Sequence, residues 1–193
     1  MKCLMIIGAM LLWCGSFNAE AKSSVSESYE FYHISPTTKH EILKQLNQAS
    51  PISEHGKVFH GYAYSKINWR FKYKWKNNST NCWITSVHTQ LHTTYTLPKL
   101  ATHTHEVRQV WSKWYPKLVL HEKGHHKFAL NIANKIQESI TKLPTQTSCK
   151  VLERKANAIG QRLIAELDAL NKQYDKRTNH GETQGAFLFK YLK

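Results

Sequence analysis

The hydrophobic period of this chain changes once, and that change limits its fold more than any other feature. Over residues 29–98 the pattern is strand-like, and Trp69-Arg70-Phe71-Lys72-Tyr73-Lys74-Trp75 alternates aromatic with basic side chains, the period of a half-buried strand. Strands are also expected at residues 30–34, 57–64 and 82–97, with a turn at Asn77-Asn78-Ser79-Thr80-Asn81. A short helix over residues 38–48, with Ile42, Leu43 and Leu46 on one face, interrupts this half. Beyond Pro98 the period becomes helical. Residues 103–115, 118–143 and 151–174 read as helices; Pro116 either opens the second or kinks a continuous one, and Pro144 ends it. Sheet first and helices second define an α+β domain with an N-terminal antiparallel sheet.

The 193 residues fit one domain, and a composition 41% hydrophobic and 21% charged excludes disorder and collagen-like repeats. Residues 4–13 form an apolar run behind Lys2, and Ala19-Glu20-Ala21 offers a small-x-small cleavage site. That layout is a secretory signal peptide over residues 1–21, leaving residues 22–193 as a single secreted or periplasmic domain. The apolar run is too short to span a bilayer comfortably, and no later stretch is long enough, so no transmembrane segment is expected in the mature chain. Cleavage removes Cys3 and Cys14. The remaining pair, Cys82 and Cys149, most simply forms one disulfide, closing a loop of about 68 residues and contributing on the order of 4 kcal/mol. A net charge of +14 favours contact with anionic surfaces, cell-envelope polymers among them.

The residues that carry chemistry are His121-Glu122-Lys123-Gly124-His125, an HExxH pattern inside an expected helix. Histidines at i and i+4 share a helix face and can reach one zinc ion. Glu122 lies about 100° around the helix, beside such a metal and not on it, where it can take a proton from an activated water. A catalytic zinc takes three protein ligands. A third His six residues after His125 is excluded, because Asn131 stands there. His180, in a glycine-flanked loop, is the first candidate, ahead of Asp175 and of Glu153 or Glu166 on the last helix. Tyr174 is a candidate donor to an oxyanion, with packing at the helix end as the competing role. His126 points away from His121 and His125. The pairs His88/His92 and His103/His105 read as surface histidines, and in the strand at 69–75 the aromatics are expected to face the core while the lysines face water.

In the order of its features the chain resembles the bacterial family known as predicted secreted zinc-dependent proteases, domain of unknown function 922. The resemblance spans about residues 29–187 and rests on Cys82, Tyr95-Thr96-Leu97-Pro98, Trp114-Tyr115, Leu120-His121-Glu122, His125, Cys149, Tyr174-Asp175, Thr178, His180-Gly181 and Gln184-Gly185-Ala186. It implies a zincin-like fold and a metallopeptidase using one Zn²⁺, with Glu122 as base and with the His180 loop belonging to the site. The expected partner is then a protein or peptide substrate. The competing reading is a non-catalytic basic envelope protein that binds acidic polymers, holding at most a structural zinc. Nucleic acid is not the expected partner.

Overall fold

A computed structural model describes residues 23–54, 56–76 and 81–193; the expected signal peptide and most of the expected turn at 77–81 lie outside the described residues. The period-2 pattern becomes two long strands, β4 (Tyr62–Trp75) and β5 (Cys82–Leu100), paired antiparallel with an irregularity between Lys72 and Tyr73. On the other flank of β5 lies β1 (Ser24–Ile34), parallel to it, giving the order β1-β5-β4. The sheet is therefore mixed and not antiparallel as expected. Alternation reports which face a side chain takes, but carries no information on strand direction. A parallel pair needs a crossover. Here α1 (Lys39–Ala49), a small hairpin of β2 (Ser53–Glu54) and β3 (Lys57–Val58), and β4 itself intervene between β1 and β5.

The helical half consists of α2 (His105–Thr141) and α3 (Cys149–Thr178), followed by short 3₁₀ turns at Glu182–Gln184 and Leu188–Tyr191. Pro116 lies inside α2, a continuous helix of 37 residues. The missing N–H removes one helical hydrogen bond, but Trp114 and Leu118 on either side are buried and hold the turn in place. At the start of α3 the Ser148 hydroxyl accepts the Val151 N–H at 3.2 Å, a regular N-cap. The Cys82–Cys149 disulfide ties the first residue of β5 to the first of α3. Lys135 pairs with Glu166, His125 with Asn171 and His121 with Asp175, so α2 and α3 run antiparallel. Among the described residues no helix is long and apolar enough to cross a membrane.

Two apolar clusters pack between helices and sheet. One gathers Ile42, Leu46, Tyr95, Leu97, Trp114 and Leu118; the other gathers Leu91, Ile132, Ile136, Ile140, Ala156 and Leu163. Along α2 the first ends at Leu118 and the second begins at Ala129. Between them the buried residues of α2 are His121 and Glu122. Polar groups buried at the seam of two cores need a compensating role or partner.

Candidate metal centre

His121 and His125 stand one turn apart on α2, and Asp175 projects from α3 between them. Asp175 Oδ1 lies 3.3 Å from His121 Nε2 and 3.2 Å from His125 Nε2. One ligand atom from each of the three lies within 4.8 Å of the others. The remaining ring nitrogens are also engaged: His121 Nδ1 is 2.9 Å from Gln184 Oε1, and His125 Nδ1 is 3.0 Å from Asn171 Oδ1. An amide oxygen only accepts, so each Nδ1 carries the proton and each neutral ring turns its Nε2 lone pair towards Asp175. Two lone pairs and a carboxylate oxygen then converge on one point. That arrangement repels itself unless a cation sits at the centre or protons occupy the rings, and its donor set of two imidazoles and one carboxylate suits zinc.

The electrostatics follow the same geometry. Burial would raise Asp175, but the hydrogen bonds and charge that His121 and His125 offer when their Nε2 atoms are protonated outweigh that and hold its carboxyl well below the usual range. Burial would lower His125, yet Asp175 and Asn171 raise it. Glu122 is 4% exposed. Burial pushes it up to about 7, against the opposing pull of His121 and His125. A carboxylate poised near neutrality can both accept and return a proton.

Close backbone approach explains why small residues surround the site. A Cβ on Gly124 would lie 2.1 Å from the Tyr174 hydroxyl. Glycine here costs close to 1 kcal/mol of helix propensity, and the space it leaves admits Tyr174, which stacks on the His121 ring at 5.0 Å and 14°. A Cβ on Gly61, just ahead of β4, would lie 2.7 Å from Glu122 Oε1. At the end of α3, Asn179 and His180 take left-handed backbone (φ 48° and 50°), followed by Gly181 at 85°. Only Gly adopts this region freely. The turn carries the chain back so that a Cβ on Gly181 would meet His121 Cγ at 2.9 Å.

The site opens into a cleft of about 1320 Å³. Its walls come from the β2–β3 hairpin, the 57–63 segment, α3 at Asp168, Asn171 and Lys172, and the tail at 186–189. His60 lines this cleft; burial lowers it to about 4, and its Nε2 lies 2.8 Å from Asn47 Oδ1.

The residues singled out in the sequence divide clearly. His121, Glu122 and His125 come together as the spacing requires. His180, the first candidate for a third ligand, lines the cleft but lies outside the ligand cluster, its ring 5.1 Å from that of Phe59; Asp175 holds the place instead. The reason is the turn after α3: the left-handed residues carry His180 past the cluster, whereas Asp175 still lies on the helix face towards α2. Glu153 accepts from the Tyr73 hydroxyl at 2.6 Å and Glu166 from Lys135 at 2.8 Å, both outside the cluster. Tyr174 is 6% exposed, and its hydroxyl donates to the His121 carbonyl at 3.3 Å, so it packs beneath the histidines and does not line the cleft. His126 faces the sheet, with Thr93 Oγ1 at 2.9 Å and Glu27 at 3.4 Å. Asn171 and Gln184 escaped sequence reading as histidine partners. A signal for Asn171 was present, since it precedes Asp175 by one helical turn.

Fold and site together define an α+β protein with a His-His-Asp candidate metal centre at the base of a cleft. A profile of a bacterial family of proteins of unknown function, DUF922, matches residues 29–181, and the chain belongs to that family. No curated protein and no solved structure matches it.

Proposed function

We propose that this protein is an exported zinc-dependent hydrolase, most simply a metallopeptidase that cleaves amide bonds. The observation carrying this reading is the convergence of His121, His125 and Asp175 beside buried Glu122 in an open cleft. Three protein donors facing a cleft leave room for water, whereas a structural zinc tends to be enclosed by four protein ligands. Zinc in this position supplies Lewis acidity, lowering the pKa of water towards ~7 and polarising a carbonyl. Glu122 takes the proton of the attacking water and returns it to the leaving amine. Gln184 and Asn171 fix the tautomer and orientation of the two imidazoles. Tyr174 supports His121 from below, so a donor to the developing oxyanion comes from the cleft wall, where the imidazole of His180 and the phenol of Tyr62 stand, while His60 donates its ring N–H to Asn47.

Replacing Glu122 by Gln tests this. The variant is expected to bind zinc like the wild type and to lose hydrolysis of a peptide library by about 10²–10⁴-fold, because an amide cannot take the proton. Full activity in that variant, measured against chelated and zinc-restored wild type, overturns the mechanism.

A further inference from the structure

The outer face of the sheet carries a second surface, independent of the cleft. On β4 the inward side chains are fully engaged. Trp69 packs over Gly160 and donates to Asn157 at 3.1 Å, Phe71 joins the second core, and Tyr73 donates to Glu153. The alternate residues Lys66, Asn68, Arg70 and Lys72 are exposed, and Lys74 continues the series past the irregularity. Lys66 lies opposite His92 and Arg70 opposite His88 on β5. Among the described residues, none of these four cations has a carboxylate partner. The outward positions of β5 from Ser86 to Thr96 hold no acid, and on β1 they are Ser24, Ser26, Ser28 and Glu30. Glu30 registers with Thr96, about 27 Å along the strand from His88 at ~3.4 Å per residue.

Between Lys66 and Arg70 the face dips. A depression of about 240 Å³ is lined by the polar residues Ser24, Ser26, Asn68, Gln90 and His92, with Val25 and Leu91. Both ring nitrogens of His92 are engaged by Ser26 and Ser28, at 2.8 and 3.0 Å, so the Asn68 and Gln90 amides, with cations at the edges, form the seat for an oxyanion. Along β4, Arg70 and Lys72 stand about 6.7 Å apart, Asn68 separates Lys66 from Arg70, and Lys74 follows past the irregularity. A row of point charges along one strand fits an extended chain of anions.

We propose that the outward face of β4 and β5 is a docking track for a linear polyanion, a phosphodiester chain held by its charges alone. Trp69, Phe71 and Tyr73 turn inward, and the exposed Tyr64 stands at one end of this face, beyond Lys66, so from Lys66 to Lys74 the track recognises charge and not base sequence.

The probe is a labelled oligodeoxythymidylate, titrated by anisotropy into the purified mature protein across a range of salt. Four phosphate contacts on a single strand predict a slope of log K on log salt of about −3, from about −0.7 per contact. The variant Lys66→Gln/Arg70→Gln/Lys72→Gln is expected to lower that slope by about 2, with hydrolysis and thermal midpoint unchanged. An abasic oligomer of equal length is expected to bind as tightly as the thymidylate. No binding at about 50 mM salt, where such contacts are strongest, overturns the proposal. So does a slope unaltered in the variant, a tenfold loss on removing the bases, or retention on phosphatidylglycerol vesicles without binding to the strand.

Discussion

Just ahead of β4, a Cβ on Gly61 would lie 2.7 Å from Glu122 Oε1, whereas a few residues on the same strand turns Lys66, Arg70 and Lys72 to solvent. On the cleft side, residues far apart in the chain converge: His125 on Asn171 across 46 residues, His121 on Gln184 across 63. On the outer side, character comes from neighbours two residues apart on one strand. Convergent sites are buried and intolerant of added atoms, because their groups hold one another in place. Alternating surfaces are additive, and each cation can be removed alone.

The largest expected effect on the cleft side is that of Gly124→Ala. Its methyl collides with Tyr174 at 2.1 Å, so Tyr174 must leave its stack on His121. Overpacking of this kind costs about 1–3 kcal/mol, more than helix propensity returns, and zinc affinity should fall with it. Gly160→Ala, which meets the Trp69 ring at 2.3 Å, provides the contrast. A lowered thermal midpoint with unchanged zinc affinity is expected there, and equal zinc loss in both variants would break the distinction. Asn171→Ala and Gln184→Ala come next: each removes one imidazole's partner and is expected to weaken zinc binding about 10–100-fold, measured by competition with a chromophoric chelator. Smallest is the triple outer-face variant, whose stability should stay within about 0.5 kcal/mol of wild type. A large destabilisation there would show that the outer cations support the fold.

The same contrast decides what the sequence can reveal. The spacing of His121 and His125 and the alternation at 69–73 are local, and both describe the side chains as they stand; past the irregularity at Lys72/Tyr73 the alternation fails, and Trp75, expected to face the core, is 61% exposed. The two cysteines left by an expected cleavage pair as arithmetic predicts. Strand direction, Asp175 against His180, and the partners of the imidazoles depend on how the chain returns. Nothing within a few residues of His180 discloses that two left-handed residues carry its ring to Phe59. Tyr174 and Gly124 are legible only as a pair, since the glycine's cost in a helix acquires a reason once the ring it admits is known.

The central claim is that His121, His125 and Asp175 hold one zinc ion, with His180 outside the ligand set. Zinc stoichiometry by inductively coupled plasma mass spectrometry, on wild type, Asp175→Ala and His180→Ala dialysed against the same buffered zinc, tests it most directly. One zinc per chain is expected in wild type and in His180→Ala, with severe loss in Asp175→Ala. Full occupancy in Asp175→Ala with loss in His180→Ala contradicts the assignment.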